Sequence, residues 1–291
     1  MSSGNGLNSG YIGSDQRRTK AGSYDGRKHY LERISGEFIF TANWSPSQIT
    51  TALWLDAADA STVTLNGSTV SQWNDKSGNE RHATQATAGN QPTYLTNEIN
   101  GKSVLDWDGS TDSMTISGGS TKLHSALSGN NNHSVAMVIK PDVISNSPVL
   151  FHEPINSWQF LIELNTPAGL YWGYTTAGYR TYTAGAFGVA NTASFFVLIK
   201  NTSTTGDAYV GGTIASTYSS NFNSTPTMTA DILLGSYSSP SYNYNGKFAE
   251  IIVSTDAWDS TTRQTVEGYL AHKWGLTANL PNDHPYKNST P

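Results

Sequence analysis

The sequence predicts an all-β sandwich that carries one late helix and follows an N-terminal arm. Three observations predict it. Ser, Thr, Asn and Gly make up 121 of the 291 residues, about 42%, and such residues favour turns and neutral polar surfaces over long helices. Short apolar runs, β-branched or aromatic and bounded by turn residues, recur between residues 52 and 253, as the strands of a sandwich do. One segment near the C-terminus changes to helical periodicity. The length fits one large all-β unit with a full core. Eight Trp and fifteen Tyr separate the chain from disordered, low-complexity sequence.

The arm comes first. Residues 1–40 hold six basic side chains (Arg17, Arg18, Lys20, Arg27, Lys28, Arg33) and four acidic ones (Asp15, Asp25, Glu32, Glu37), a net +2, against −7 for the remainder. Its apolar residues are widely spaced until Ile34, Phe38, Ile39 and Phe40, so residues 1–43 are expected to be extended, without a core of their own and ordered only against something else. The break falls at Trp44-Ser45-Pro46-Ser47, and residues 44–291 form the sandwich.

Within it, strands are expected over 52–55, 104–107, 135–140, 149–152, 158–164, 170–174, 195–200, 208–210, 232–234 and 248–253, with hairpin loops at 165–169 and 204–207. The segment 262–274 carries Val266, Tyr269, Leu270 and Trp274 at i, i+3, i+4 and i+8, a helical stripe. Asp259 or Ser260 can cap its start, Thr261 and Gln264 have capping-box spacing, and Gly275 can end it.

Whole classes of function are disfavoured. Without Cys there are no disulfides, thiol nucleophiles or Cys-based zinc sites. The mildly acidic balance argues against a nucleic-acid binder, and no apolar run approaches membrane-spanning length. MSSGNGLNSG has no apolar core of a secretory signal, so a soluble protein is expected that is cytoplasmic or leaves its cell by lysis.

The chemistry-bearing residues give no catalytic signature. Glycoside hydrolysis needs two carboxylates flanking one bond. No Glu-x-Asp-x-Glu or Glu-x-Asp-x-x-Glu pattern places two on one strand face: Glu250 stands alone in 248–253, and Glu163 in 158–164. The expected protein is not an enzyme and takes no metal or cofactor. Asp106, Asp108 and Asp112 lack the EF-hand pattern; they and the pair Asp56 and Asp59 read as turn residues that satisfy backbone amides. The seven His show no metal spacing, and neither a Gly-x-Ser-x-Gly elbow nor a phosphate loop occurs. The aromatic clusters stand out. Residues 170–182 hold Tyr171, Trp172, Tyr174, Tyr179 and Tyr182, and 236–245 add Tyr237, Tyr242 and Tyr244 among Ser and Asn. Trp172, Tyr174, Tyr179, Tyr182, Tyr237, Tyr242 and Tyr244 are candidate contacts for a glycan or a protein partner, with plain core packing as the alternative.

Two resemblances add to this reading. Trp54-Leu-Asp-Ala-Ala-Asp59, Val70-Ser-Gln-Trp-Asn-Asp-Lys-Ser-Gly-Asn79, Asp106-Trp-Asp-Gly-Ser-Thr-Asp112, Asn245-Gly-Lys-Phe-Ala-Glu-Ile-Ile-Val253, Val266-Glu-Gly-Tyr-Leu-Ala-His-Lys-Trp-Gly-Leu276 and His284-Pro-Tyr-Lys287 resemble laminin-G-like, concanavalin-A-like sandwich domains abundant in tailed-phage structural proteins. The likeness spans 44–287 and implies a jelly-roll sandwich. Glu80 departs from it, where the Ser-Gly-Asn segment usually continues with Gly. Gly10-Tyr-Ile-Gly-Ser-Asp-Gln-Arg-Arg-Thr-Lys-Ala-Gly22 and His29-Tyr-Leu-Glu-Arg33 resemble the N-terminal segment of marine phage virion proteins. That second resemblance implies a docking tag, carried by Tyr11, Ile12, Arg17, Arg18, Lys20, Tyr30, Leu31 and Arg33. The implied protein is a virion component, homo-oligomeric, held to other capsid or tail proteins through 1–43. It displays the sandwich as capsid decoration or as a fibre or tail subunit; a host-surface glycan is a candidate ligand through the aromatic clusters, and the alternatives are a carbohydrate-binding receptor-recognition module or a polysaccharide-degrading glycoside hydrolase.

Overall fold

The computed structural model describes residues 23–24, 27–34, 37–119, 121–144, 148–153, 160–165, 169–173, 181–183, 187–218, 225, 227–237 and 242–291. The chain divides into two units, Met1–Trp44 and Ser45–Pro291. The first contains an antiparallel meander of β1 (Ser23–Tyr24), β2 (Arg27–Ile34) and β3 (Glu37–Ala42). Three strands thus stand where the sparse apolar pattern predicts an extended arm. Only two residues separate β2 from β3, and the register runs from Ile34 opposite Glu37 to His29 opposite Ala42, the geometry of a tight hairpin.

The second unit contains β4 (Leu53–Asp56), β5 (Val63–Asn66), β6 (Thr69–Trp73), β7 (Ala83–Thr84), β8 (Thr93–Ile99), β9 (Lys102–Asp108), β10 (Met114–Ile116), helix α1 (Leu123–Leu127), β11 (His133–Val143), β12 (Val149–Glu153), β13 (Phe160–Asn165), β14 (Gly169–Gly173), β15 (Thr181–Thr183), β16 (Ser194–Lys200), β17 (Gly206–Val210), β18 (Thr213–Tyr218), β19 (Ile232–Leu234), β20 (Asn245–Ser254) and helix α2 (Ser260–Trp274). Its seventeen strands form one hydrogen-bonded antiparallel network that folds into two layers. The first layer runs β18-β17-β16-β11-β20. Beyond β20, its two halves pair with β4 and β9, which lead to β8, β6 and β5. The second layer runs β15-β14-β13-β12-β19-β10-β7 and is joined to the first through β6. This is the jelly-roll sandwich.

Period-two alternation sets what lies between the layers. Val135, Met137 and Ile139 of β11, Phe196 and Leu198 of β16, and Ile162, Leu164, Leu170 and Trp172 of the facing layer all join one core cluster. The intervening residues of the first layer are apolar too: Ala136, Val138, Phe195 and Val197 are buried on its other face, where α2 packs against β16. A strand buried on both faces reads as a continuous apolar run. That is why the sequence reveals β11, β16 and β20 plainly.

Strand β20 needs one irregularity. Val138 pairs with Glu250 while Ile139 pairs with Phe248, leaving Ala249 as a bulge. The extra residue lets Phe248, Ile251 and Val253 all face the inter-layer core, and it turns Glu250 outward beneath α2. The helix starts at Asp259, whose carboxylate accepts the Thr262 amide, and ends at Gly275 in the left-handed region at φ 70°, a glycine stop. Gly268 lies where a Cβ would meet the Tyr286 Cβ at 2.5 Å and its ring at 2.8 Å, so the C-terminal tail packs directly on the helix.

Candidate functional site

Most of the motif residues converge under α2, and there they build structure. Glu250 is 0% exposed. Its Oε1 accepts from Trp54 Nε1 at 2.8 Å and from the Tyr269 hydroxyl at 2.8 Å. Its Oε2 accepts from Trp274 Nε1 at 2.6 Å and pairs with Lys273 Nζ at 2.8 Å. Lys273 also reaches Asp56 at 2.7 Å, and Lys76 bridges Asp56 and Asp59 at 2.9 and 2.7 Å. Burial pushes the Glu250 carboxyl upward, with Lys273 opposing, and burial drives the Tyr269 hydroxyl well above its ordinary range. With every lone-pair direction of Glu250 occupied by a donor, the cluster works as a polar staple from sheet to helix.

The neighbouring motifs extend this staple. Asp75 accepts the Trp54 and Ser77 amides at 2.9 Å each and the Arg81 amide at 3.1 Å. Arg81 Nη1 donates to the Ala52 carbonyl at 2.6 Å. In α2, Glu267 holds Arg263 at 2.6 Å and meets His284 of the tail at 3.2 Å. His272 Nε2 stands 2.8 Å from the Tyr286 carbonyl. Glu80, the residue that departs from the family pattern, adopts φ 58°; the backbone there takes the conformation a glycine would adopt without strain.

The acidic turn is equally self-contained. Asp108 accepts amides from Ser110, Thr111 and Asp112 at 2.8, 2.9 and 3.1 Å, and Asp112 accepts the Asp108 amide at 3.0 Å. Partial burial works against ionisation of Asp108, but the bonds from Ser110 and the following amides hold its carboxyl well below the ordinary range. Burial, with the nearby Asp108 and Asp106 charges, pushes Asp112 up to about 6. Asp106 pairs with Lys247 at 3.2 Å. Among the described residues no His/Asp/Glu group is arranged to hold a metal ion.

The aromatic candidates divide. Trp172 is 2% exposed and Tyr244 0% exposed, and both join the core cluster, so neither offers a face to a ligand. Trp172 follows the alternation of β14 inward with Leu170; Tyr244 packs on Phe248 at 4.8 Å and donates to the Lys247 carbonyl at 3.1 Å. Tyr237 and Tyr242 are half-exposed. Their rings meet edge-on at 5.5 Å, and Tyr237 covers the His152 ring at 4.6 Å. Tyr182 lies on β15, directly opposite Tyr171, which in turn lies opposite Glu163. Tyr174 and Tyr179 fall outside the described residues.

His152, Glu163 and Tyr237 share the outer face of the second layer. On β13, Ile162 and Leu164 face the core, so Glu163 between them faces outward, 1% exposed. His152 pairs with Leu161 and Leu233 and is 2% exposed; burial lowers its imidazole to about 4. The two aromatic segments, 65 residues apart at Trp172 and Tyr237 by their numbering, thus lead to one sheet. Sequence reasoning missed His152 and Glu153, whose strand gives no motif. Glu153 is fully buried and accepts the Thr229 and Ala230 amides at 3.0 and 2.9 Å.

Of the arm candidates, Tyr11, Ile12, Arg17, Arg18 and Lys20 lie outside the described residues. Tyr30, Leu31 and Arg33 lie on β2, opposite Thr41, Phe40 and Phe38. Among the described residues no helix is long and apolar enough to cross a membrane.

No protein-family profile and no curated protein matches the chain in sequence. Solved structures do match in fold. Domain 4 of AbnA, an extracellular arabinanase of Geobacillus stearothermophilus solved with arabinotriose, has a TM-score of 0.52 at 12% identity, covering 73% of this chain and 96% of that one. The sialidase of Trypanosoma rangeli, solved with sialic acid, has a TM-score of 0.55 at 12% identity, over 86% of this chain and 43% of that one. The botulinum neurotoxin serotype D ligand-binding domain, solved with N-acetylneuraminic acid, has a TM-score of 0.56 at 12% identity, over 77% of this chain and 52% of that one. The chain therefore spans about half of the latter two and nearly all of the first. At these identities the likeness is one of fold: the second unit is a concanavalin-A-like β-sandwich of the kind found in such domains.

Proposed function

We propose that the protein is a non-enzymatic virion component of a tailed phage that binds carbohydrate through its sandwich and docks on the particle through residues 1–43. The observation that carries the binding reading is the pair of half-exposed rings Tyr237 and Tyr242, which meet edge-on with Tyr237 over His152 on the outer side of the second layer. Aromatic faces stack on sugar C–H surfaces, while tyrosine hydroxyls and neighbouring Asn and Ser side chains take sugar hydroxyls. Sugar complexes among the structural neighbours support this reading. The docking reading rests on the sequence resemblance of the arm and on its positive charge against an acidic body. Repeated copies on a particle, as homo-oligomers, turn weak sugar contacts into useful avidity.

The absence of catalysis is part of the proposal. Glu250, the carboxylate within the apolar run of β20, is committed to four donors, which leaves it unable to act on a substrate. A glycan array probed with multivalent full-length protein tests binding. Purified particles lacking residues 1–43 test docking: loss of the protein is expected, and undiminished incorporation refutes it. Release of reducing sugar from a bound glycan, abolished by Glu163→Gln, would overturn the non-enzymatic part.

A further inference from the structure

The buried charges under α2 have a chemical option beyond hydrogen bonding. Lys273 Nζ lies 2.7 Å from Asp56 Oδ1 and 2.8 Å from Glu250 Oε2. Asp56 and Glu250 stand directly opposite each other on β4 and β20, and α2 brings Lys273 down onto both. The side chains of Glu250, Asp56 and Lys273 are 0%, 6% and 15% exposed. Trp54, Tyr269 and Trp274 fix Glu250 by hydrogen bonds, and the Tyr269 and Trp274 rings each lie 5.3 Å from the ammonium. On the other oxygen of Asp56, Oδ2, sits Lys76 Nζ at 2.9 Å. Lys247 also touches two acids, Asp106 and Asp142, but there the acids are 27% and 30% exposed. Water competes for that ammonium far more than for the one on Lys273.

We propose that Lys273 and Asp56 condense in the folded protein to an intramolecular isopeptide bond, with Glu250 carrying the proton. The structure shows the ion-paired triad from which that reaction starts. Burial favours it, because two desolvated charges become one neutral amide, and the fold already holds the reacting groups together. The ammonium first passes a proton to Asp56 Oδ1 along their 2.7 Å contact. The freed amine is the nucleophile, and its nitrogen bonds to Asp56 Cγ. Negative charge then gathers on Oδ2, where Lys76 stabilises it. Glu250 Oε2 takes a second proton from the nitrogen along their 2.8 Å contact and returns it to the Oδ1 hydroxyl, which breaks from Cγ as water. One ammonium and one carboxylate thus give one secondary amide and one water, with no oxidant or co-reactant, and Glu250 ends ionised as it began. Glu250 has no access to an outside substrate, yet it touches the reacting atom of its own chain. The remaining exposure of Lys273 leaves the water a way out. The product ties the end of α2 to β4 covalently.

The test is mass spectrometry of the folded, full-length protein after denaturation. The intact chain should be lighter than its sequence by one water. A tryptic digest should resist cleavage after Lys273 and yield a branched peptide that joins the segment holding Asp56 to the segment holding Lys273. The branched peptide separates this bond from dehydration at an Asp-Gly pair such as Asp108-Gly109, which also removes water but joins no segments. Lys247 should remain unlinked. Lys273→Arg keeps a cation between the two acids but supplies no amine nucleophile, so it should restore the full mass while circular dichroism matches the parent. Glu250→Gln should slow linkage at least ~100-fold during refolding; linkage at the parental rate would overturn the role given to Glu250. Full mass with separate linear peptides for Asp56 and Lys273 in the folded parent overturns the proposal, as does a branch at Glu250 in place of Asp56. If the Glu250 variant does not fold, the branched peptide of the parent and its loss in Lys273→Arg still decide the bond.

Discussion

Replacing Glu250 by Gln should cost the sandwich roughly 3–5 kcal/mol, because all four groups around the carboxylate are donors. The amide retains one acceptor oxygen and places an NH2 where the other oxygen stood. In the better orientation the oxygen faces Trp274 and Lys273. The NH2 then donates to the Tyr269 hydroxyl, which can accept, but it confronts the Trp54 indole N–H, which cannot. One buried donor is thereby stranded, at about 1–3 kcal/mol, and the ion pair with Lys273 is reduced to a bond from the ammonium to a neutral amide oxygen, at about 1.5–3 kcal/mol. Lys273 keeps Asp56 at 2.7 Å, which limits the damage. For a unit of this size the sum corresponds to a fall in Tm of roughly 6–15 °C. Urea melts followed by tryptophan fluorescence and far-ultraviolet circular dichroism measure it, and the double variant with Lys273→Met should show coupling of about 1–3 kcal/mol. A Glu250→Gln protein within about 1 kcal/mol of the parent would refute the staple.

Other expectations are independent of it. Glu80→Gly should raise stability by about 0.5–1 kcal/mol, since Glu80 is exposed and sits at φ 58°, a conformation that strains a residue with a Cβ by slightly more than glycine loses in entropy; an unchanged or lower urea midpoint would contradict this. Trp172→Ala and Tyr244→Ala should each cost about 3–5 kcal/mol as core truncations, whereas Tyr237→Ala and Tyr242→Ala should cost under about 1.5 kcal/mol while weakening sugar binding on the array. Stability should fall as pH drops. Burial lowers His152 to about 4, so between the unfolded value near 6.5 and about 4 the unfolded chain binds a proton that the folded one refuses. That group alone accounts for roughly 3 kcal/mol of the loss by pH 4. His133, lowered to about 3 by burial and then by Lys200, adds in the same direction, and His152→Phe should flatten the measured slope by its share.

What the sequence revealed follows from burial. Strands apolar on both faces, β11, β16 and β20, announce themselves as continuous runs. The edge strands β5 and β18 are mostly polar and exposed, so Thr and Asn there look like loop. The two-residue β7 and the five-residue α1 are too short for any period to register. The helix was legible to its caps because Asp259 and Gly275 act locally. The site was less legible. Tyr244 and Trp172 lie in aromatic-rich text like Tyr237 and Tyr242, and only the phase of each strand and its loop decides which are buried. His152 carried no signal, since its value depends on the ring of Tyr237, far along the chain. The six quoted motifs, the most recognisable part of the sequence, mark where α2, the 74–81 turn and the tail are riveted to the first layer.

That riveting sits on one layer. Because Glu250 and its donors belong to β4, β20 and α2, substitutions at outward positions of β12 and β19 leave those bonds intact, so the anchoring of the helix and the make-up of the opposite face can be varied separately.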